Sequence, residues 1–275
     1  MPNENAPAKI NLALHVRERM PDGYHRLETI FAFAADGDRL FVAPSEELAL
    51  RVTGPFAHGL SAGEDNLVLR AATALRAAVG ARGGALLTLE KNLPIASGIG
   101  GGSADAAAAL RMLARFWSVD ADLMAVATAL GADVPACLVG QVVRGEGRGD
   151  QLEPVDDKSL AGRPLLLVNP GVAMPTGPVF AGWDGVDRGP LAEGDPLAAA
   201  LAGRNDLELP AMAIAPVIGD LIAWLQRRRG VALARMSGSG ATCFALFDRA
   251  EDLDRANEEA ARDWPGAWRL ATRLA

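Results

Sequence analysis

A run of closely spaced glycines is the segment of this sequence best suited to chemistry. Gly98, Gly100, Gly101 and Gly102 precede an alanine-rich, helix-forming segment that starts at Ser103. Glycine lets backbone N–H groups converge on one point, and the start of a following helix adds unpaired N–H groups and a partial positive charge. The run therefore predicts a binding site for an anion, typically phosphate, with Ser103 as the N-cap of the helix. A loop that only turns the chain is the alternative.

The glycine run differs from three common phosphate-binding loops. A Walker A loop needs a lysine between its glycines and the Ser/Thr, whereas here Gly102 meets Ser103 directly. A dinucleotide-binding loop needs an acidic residue that closes the next strand, but Asp120, at that distance, precedes a segment that looks helical. A protein-kinase loop needs HRD and DFG motifs, which the sequence lacks. The segment indicates a phosphate loop of another type.

Rare residue types lie beside short motifs elsewhere in the chain. Of the 27 basic residues, only Lys9, Lys91 and Lys158 are lysines, and the first two adjoin motifs. A compact ammonium acts as a point charge, which a planar guanidinium does not replace. The single tyrosine, Tyr24, is followed by His25, one of 3 histidines. This clustering favours a functional site over chance placement.

The composition is that of a globular chain with an acidic balance. Of the 275 residues, 50% are hydrophobic and 22% are charged, which suffices for a sizeable core. A net charge of −7 argues against non-specific binding to nucleic acid or anionic membranes. No apolar run approaches the roughly 20 residues of a membrane span and no signal peptide is visible, so we expect a cytoplasmic location. Cys137 and Cys243 are expected to be buried free thiols.

Patterns of hydrophobicity predict a β-rich start followed by helices. The predicted strands up to residue 156 cover residues 8–16, 28–34, 38–43, 47–53, 85–90, 138–143 and 151–155, and the predicted helices cover 66–79, 103–116 and 121–130. Pro135 is expected to stop any helix from continuing through residues 131–135.

The composition changes near residue 156, where a polar stretch precedes a new strand. We therefore predict two domains, an N-terminal domain at residues 1–156 and a C-terminal domain at residues 157–275. The second domain is predicted to be α+β: its strands cover 164–168, 231–236, 241–247 and 267–273, and its helices cover 206–213, 216–228 and 250–262. Residues 182–196 are predicted to form a Gly/Pro-rich loop.

Several short motifs occur together with the glycine run. They are Pro7–Leu12 (PAKINL), Asp22–His25 (DGYH), Leu130–Pro135 (LGADVP) and Ser237–Ala241 (SGSGA). This set resembles the GHMP kinase superfamily over about residues 6 to 250. The glycine run alone would indicate only the superfamily, whereas AKINL, DGYH and GADVP resemble one branch of it. That branch phosphorylates the 2-hydroxyl of 4-diphosphocytidyl-2-C-methyl-D-erythritol in the non-mevalonate isoprenoid pathway.

The resemblance implies a fold and a reaction. The fold is the α+β two-domain GHMP kinase fold, with a ribosomal-protein-like N-terminal domain and a ferredoxin-like C-terminal domain. ATP and Mg²⁺ are the implied cofactors, with Mg²⁺ held through the ATP phosphates and no direct protein ligand assigned. The implied partner is the small-molecule substrate, with no nucleic acid and no membrane, and the chain is expected to be a monomer or a homodimer.

The resemblance also implies catalytic roles for two residues. Asp133 matches the catalytic aspartate, whose carboxylate can take the proton of the acceptor hydroxyl as it attacks phosphorus. Lys9 matches the catalytic lysine, which can lower the pKa of that hydroxyl and offset the charge of the transferring phosphoryl group. A turn aspartate that caps its own backbone before Pro135, and a solvated lysine at a strand edge, are the alternatives.

The remaining site residues divide into two sets by the part of the reactants that they are expected to contact. The ATP set comprises Pro94, Ala96, Ser97, Gly98, Ile99, Gly100, Gly101, Gly102, Ser103, Asn66 and Lys91. The substrate set comprises Asn11, Tyr24, His25, Phe180, Gly238 and Ser239. Asp105 is expected to point to solvent rather than toward Mg²⁺. Tyr24 and His25 would hold cytosine and Phe180 its opposite face, although Phe180 alone is typical of a core residue.

Two other functions stay open. A kinase of the homoserine or mevalonate type would share the fold and chemistry but would have no cytosine to hold. A non-catalytic relative that senses nucleotide is the third hypothesis, which intact Lys9 and Asp133 oppose. The acidity and the lack of an aromatic-basic platform disfavour a nucleic-acid-binding module.

Overall fold

The computed structural model describes residues 2–81 and 83–275. It divides into two compact units, neither of which is continuous in sequence. The first unit contains the chain up to Lys9, Asp36–Ile95 and Gly100–Gly140, and the second contains Ile10–Ala35, Ala96–Ile99 and Gln141–Ala275. The predicted α+β class is confirmed, while the domain boundary near residue 156 stays a prediction. Within the described ranges, no helix is both long and apolar enough to span a bilayer.

Ten strands and nine α-helices form over the described residues. The strands are β1 (Asn3–Arg19), β2 (His25–Ala43), β3 (Leu48–Thr53), β4 (Ala85–Glu90), β5 (Val143–Gly147), β6 (Gln151–Pro154), β7 (Pro164–Asn169), β8 (Val231–Met236), β9 (Cys243–Phe247) and β10 (Trp268–Arg273). The helices are α1 (Leu67–Val79), α2 (Gly101–Phe116), α3 (Leu123–Leu130), α4 (Val134–Val139), α5 (Thr176–Ala181), α6 (Pro196–Ala202), α7 (Glu208–Ile214), α8 (Val217–Gln226) and α9 (Ala250–Asp263).

The first unit packs helices against strands β3, β4 and the second half of β2. Strand β4 pairs with β3 in parallel and with β2 in antiparallel orientation, so that Leu87 lies opposite both Leu50 and Val42. Alternate residues of β4 are buried, as expected for a strand with one face on a core. Helix α1 packs on α2, and α2 packs on α4. This packing holds the N-terminus of α2, which follows the glycine run.

The second unit contains a four-stranded antiparallel sheet in the order β10-β7-β9-β8. Every residue of β9 is buried, and helices α8 and α9 both contact this strand. The first half of β2 pairs with β5, and β5 pairs with β6. Apolar side chains from helices and strands, including Leu166, Leu221 and Phe247, form one core in this unit.

Strand β2 is one continuous strand, whereas the sequence predicted two strands separated near Gly37. The Asp-Gly-Asp segment resembles a turn, but here the glycine serves a close approach. A Cβ atom on Gly37 would lie 2.8 Å from the Pro7 Cα atom of β1. The absent side chain therefore lets the backbones of β1 and β2 meet, and the strand does not break.

Pro135 begins a helix rather than ending one. It lies in the first turn of α4, where a missing N–H group costs nothing because the first N–H groups of a helix have no intrahelical partner. The prediction of a strand at 138–143 is therefore wrong up to residue 142, since α4 extends to Val139 and β5 starts at Val143. The short helices α5 and α6 were not predicted.

Replacing Leu87 by alanine should destabilise the fold strongly. Leu87 is fully buried between two neighbouring strands, so its truncation leaves a cavity that costs about 2–5 kcal/mol of unfolding free energy. Urea unfolding followed by far-UV circular dichroism checks this. Leu209→Ala is the matched control, because Leu209 is 68% exposed. Equal unfolding midpoints for the two variants would contradict the assigned core.

Candidate functional site

The glycine run forms the turn into α2 in the first unit. Gly100 adopts a left-handed conformation with a φ of 61° and is the N-cap, so the helix starts at Gly101. Ser103 is therefore the third residue of the helix, and its prediction as N-cap is wrong. A Cβ atom on Gly102 would meet nothing within 4 Å, so the start of α2 is open at this glycine. The helix has 16 residues, and its N-cap and first two residues are glycines without side chains. Its N-terminus can therefore bind an anion.

Lys9 of β1 lies directly against the glycine run. A Cβ atom on Gly100 would lie 3.1 Å from both Cβ and Cε of Lys9, so only glycine leaves room for this lysine. Lys9 is buried, and its Nζ donates a hydrogen bond of 3.0 Å to Oδ2 of Asp133. The Asp133 side chain is 40% exposed, so a reactant can reach its carboxylate. The two residues predicted to be catalytic thus form an ion pair beside the predicted phosphate loop.

Asp133 stands at the N-cap position of α4 without capping it. Its side chain makes no capping hydrogen bond, and only its backbone oxygen accepts the N–H of Cys137, at 3.1 Å. A capping aspartate would bond the N–H groups of the next turn. The alternative of a purely structural turn aspartate is therefore not supported, because the carboxylate is directed to Lys9.

Lys91 is buried beneath the same loop. Its Nζ lies 2.5 Å from Oδ2 of Asp38 and 2.7 Å from Oδ2 of Asp105. The expectation that Asp105 points to solvent is wrong, because its residue exposure is only 1%. The hydrogen bond from Lys91 holds the Asp105 side chain inward. Lys91 itself therefore has a structural role in addition to its predicted place near ATP.

Two further residues of the predicted ATP set belong to the first unit. Asn66 is the N-cap of α1: its Oδ1 accepts the N–H of Val68 at 2.9 Å, and its Nδ2 donates to the Ser61 carbonyl at 2.6 Å. Its contact with the adenine edge stays a prediction. Pro94 is buried just before the glycine run.

The rest of the predicted ATP loop lies in the second unit. Ala96 has a positive φ of 50°, and Gly98 has one of 77°. Ser97 is buried and its carbonyl accepts the N–H of Thr242 at 3.0 Å, while Ile99 is fully buried. The Ser237 hydroxyl donates to the Gly98 carbonyl at 2.9 Å. These bonds fix the segment 96–99 to the Ser-Gly loop that begins at Ser237.

Asn11 and the Ser-Gly loop meet in the second unit. The backbone N–H of Asn11 donates to the Ser237 hydroxyl at 3.1 Å, and a Cβ atom on Gly238 would lie 3.3 Å from Asn11 Oδ1. Ser239 is buried, and its hydroxyl lies 3.2 Å from that of Thr176. The predicted substrate residues Asn11, Gly238 and Ser239 therefore belong to one connected group.

His25 packs among aromatic rings. Its centroid lies 5.2 Å from that of Phe180 and 5.7 Å from that of Trp183, whose ring is perpendicular to it. Burial lowers the pKa of His25, and the positive charge of Arg19 lowers it further. The imidazole is thus neutral at pH 7. Two rings that hold a base between their faces lie about 7 Å apart, which is twice the usual stacking distance. The rings of His25 and Phe180 are closer than this and touch each other. A base would therefore contact this ring cluster from one side rather than lie between the two rings, as was predicted.

Tyr24 presents the other aromatic ring of the DGYH motif. It is 54% exposed, and the guanidinium of Arg148 lies 4.1 Å from its ring centroid. Asp22 pairs with Arg148 at 2.5 Å and accepts the backbone N–H of Tyr24 at 3.0 Å. The turn therefore holds an exposed ring with a cation on one face.

Three residues that support these groups were not predicted. Asp38 anchors Lys91, Trp183 contacts His25, and Asn205 donates to the carbonyls of Met236 and Gly238 at 2.9 and 2.8 Å. Asp38 and Asn205 carried no signal, since single polar residues far along the chain reveal no partner. Trp183 is one of 5 tryptophans, and its rarity could have drawn attention to it.

The donor set for a metal ion is sparse. Over residues 2–81 and 83–275, no group of three or more His, Cys, Asp and Glu side chains could hold a metal. Asp105, the acidic residue closest in sequence to the glycine run, contacts Lys91 instead.

Comparison with known proteins supplies the family. The model of "GHMP kinases N terminal domain" matches residues 66–141, and that of "GHMP kinases C terminal" matches residues 190–266. A 4-diphosphocytidyl-2-C-methyl-D-erythritol kinase of Rhizorhabdus wittichii is 58% identical over 99% of this chain and 94% of that protein. The relative of Novosphingobium aromaticivorans with the same name is 49% identical over 98% and 92%.

A solved structure gives the same result. The crystal structure of a 4-(cytidine 5'-diphospho)-2C-methyl-D-erythritol kinase has a TM-score of 0.82 and 37% identity, and the match covers 100% of this chain and 99% of that one. A homoserine kinase from Cytophaga hutchinsonii, at 17% identity and a TM-score of 0.73, shares the fold, with 99% of this chain and 94% of that one covered. The predicted two-domain fold is confirmed, and the chain belongs to the GHMP kinase family.

Proposed function

We propose that this chain transfers the γ-phosphoryl group of ATP to the 2-hydroxyl of 4-diphosphocytidyl-2-C-methyl-D-erythritol, as a step of the non-mevalonate isoprenoid pathway. The Lys9–Asp133 pair beside the glycine run is the observation that carries this proposal. The names of the relatives, the extent of the alignment and the solved structure support the choice of substrate.

The pair has the chemistry that transfer to an alcohol needs. A hydroxyl is a weak nucleophile, and a carboxylate within hydrogen-bonding reach can take its proton during attack, an effect of roughly 10²–10⁴-fold. Asp133 offers a partly exposed carboxylate for this role. Lys9 orients that carboxylate from one side and adds a fixed positive charge close to the reacting oxygens. A lysine that is already buried needs little reorganisation at the moment of transfer.

The start of α2 fits the phosphates of ATP. Its N–H groups are unpaired, the helix dipole favours an anion, and glycines keep side chains out of the way. Mg²⁺, held by the phosphates, would neutralise part of their charge. We assign ATP contacts to the predicted ATP set, with Gly100 to Ser103 at the phosphates, Asn66 toward the base and Lys91 supporting the phosphate end from beneath Gly101.

The aromatic cluster of the second unit suits a nucleobase. We assign cytosine recognition to His25 and Tyr24, with Phe180 as a packing partner, and further substrate contacts to Asn11, Gly238 and Ser239. A neutral imidazole can both donate and accept a hydrogen bond, which matches the mixed donor and acceptor edge of cytosine. This cluster favours the cytidyl substrate over homoserine or mevalonate, which contain no base.

Release of ADP by the full chain tests the proposed function. With Mg·ATP and the cytidyl substrate we expect turnover, and with homoserine, mevalonate or galactose we expect none. Asp133→Asn is the matched control, since it should abolish most turnover while ATP still binds. Turnover with another alcohol would retain the Lys9–Asp133 chemistry but contradict the cytosine assignment. ATP binding without turnover on any alcohol would favour the nucleotide-sensor hypothesis.

The affinity for the cytidyl substrate should fall in mildly acidic solution. The pKa of His25 in the folded chain lies below its ordinary value of 6.5, so the imidazole is mostly neutral at pH 7 and its protonation is centred below pH 6.5. Protonation removes its acceptor nitrogen. We expect the KM for this substrate to rise as the pH falls, with the midpoint of the rise below pH 6.5, and little change in the KM for ATP. A His25→Gln variant should lack this rise. A rise centred above pH 6.5 would contradict the burial of His25.

A further inference from the structure

A buried charge cluster of Asp38, Lys91 and Asp105 lies in the first unit, outside the catalytic pair. The Lys91 ammonium contacts one oxygen of each carboxylate, at 2.5 Å for Asp38 and 2.7 Å for Asp105. The exposures of the three residues are 2% or less. Two carboxylates and one ammonium leave one negative charge without a partner if all three are ionised, which is costly at this depth.

The hydrogen bonds of the two carboxylates are unequal. Asp38 uses both oxygens: Oδ2 accepts from Lys91, and Oδ1 accepts the backbone N–H groups of Asn92 at 2.5 Å and Leu93 at 2.8 Å. Asp105 uses Oδ2 only, and its buried Oδ1 has no partner among the described residues. An ionised carboxylate is stabilised by donors, so the negative charge belongs on Asp38 and a proton on Asp105.

The cluster lies directly beneath the predicted phosphate site. A Cβ atom on Gly101, the first residue of α2, would lie 3.0 Å from Lys91 Nζ and 3.7 Å from Asp38 Oδ2. Asp105 is itself one turn further along α2. Any net charge of the cluster therefore acts on an anion bound at the start of the helix.

We propose that Asp105 is a positioning residue for the phosphate loop and that it acts as the neutral acid: together with Lys91 it holds the first turn of α2 without placing a second negative charge beneath the ATP phosphates. This inference rests on the proposed ATP site. Burial, aided by the charge of Asp38 and opposed by Lys91, raises the pKa of Asp105 to about 8. Burial alone would lower the pKa of Lys91, but Asp105 and Asp38 together raise it, so the ammonium keeps its charge.

The surroundings of Asp105 contain few other groups that titrate near pH 8. Helices α1 and α3 bury only apolar side chains. The other charged or titratable groups on the packed elements include Lys9 and Asp133, which pair with each other, and Arg111 and Arg115 on α2 itself, which pair with Glu4. They also include Arg70 and Arg76 on α1, Glu90 on β4 and Cys137 on α4. Burial raises the pKa of Cys137 to about 12, far above the range in question.

The pH dependence of ATP binding tests this proposal. Equilibrium titration of the full chain with Mg·ATP, without acceptor, gives the Kd between pH 6.5 and 9.5. Between pH 7 and 9 we expect the wild-type Kd to rise on the order of tenfold, as Asp105 ionises beneath the phosphates. Asp105→Asn, which mimics the neutral acid, should match the wild type at pH 7 and show no such rise. Asp120→Asn, which removes an exposed acidic charge, should follow the wild type at every pH.

The outcomes separate this inference from the proposed function. A wild-type chain that binds no ATP contradicts both. Identical pH profiles for wild type and Asp105→Asn, or a tenfold weaker Kd of a folded Asp105→Asn at pH 7, contradict the role of Asp105 alone. Carbon-13 NMR of aspartate carboxyls in the wild type requires no variant. One carboxyl should titrate between pH 7 and 9, and titration of all of them below pH 6 would overturn the proposal.

Discussion

The contact between Lys9 and Gly100 is the constraint on which the rest of the site depends. The lysine side chain fills the space that a Cβ atom on Gly100 would need, and its ammonium reaches Asp133 at 3.0 Å. The same glycine adopts the left-handed conformation that starts α2. One residue without a side chain therefore admits the catalytic cation and also begins the phosphate-binding helix. Any larger residue at this position would disturb both.

Two separate groups of charged side chains lie next to the start of α2. Lys9 and its partner Asp133 lie next to Gly100, and the aspartate is partly exposed for chemistry. Lys91 lies beneath Gly101 and is fully enclosed with its two carboxylates. The partly exposed carboxylate of Asp133 can react, whereas the buried cluster can only hold the backbone and set the local potential. Both buried positions hold lysine rather than arginine, because a compact ammonium fits in these enclosed spaces where a planar guanidinium does not.

The parts of the site that follow from local motifs could be predicted from the sequence. Lys9, Asp133 and the glycine loop were singled out because each stands in a short, recognisable segment. The structure places them next to one another, while their roles stay predictions. The errors arose where a distant partner decides the local structure. Asp105 is buried because it forms a cluster with Asp38 and Lys91. No sequence pattern near Asp105 predicts that these two residues lie beside it. Likewise, Gly37 continues a strand because β1 passes close to it. Ser103 was assigned as the N-cap because residue propensities favour serine at this position and do not predict the left-handed conformation of Gly100.

The central claim is that Lys9 and Asp133 act as one catalytic unit. The most direct test is a double-mutant cycle on kcat for ADP release with the cytidyl substrate, using Lys9→Met, Asp133→Asn and the double variant. Each single change should lower kcat by at least about a hundredfold, and the double variant should be no slower than roughly the worse single variant, because either loss disables the same step. Losses that multiply in the double variant would show that the two residues act independently and would contradict the account.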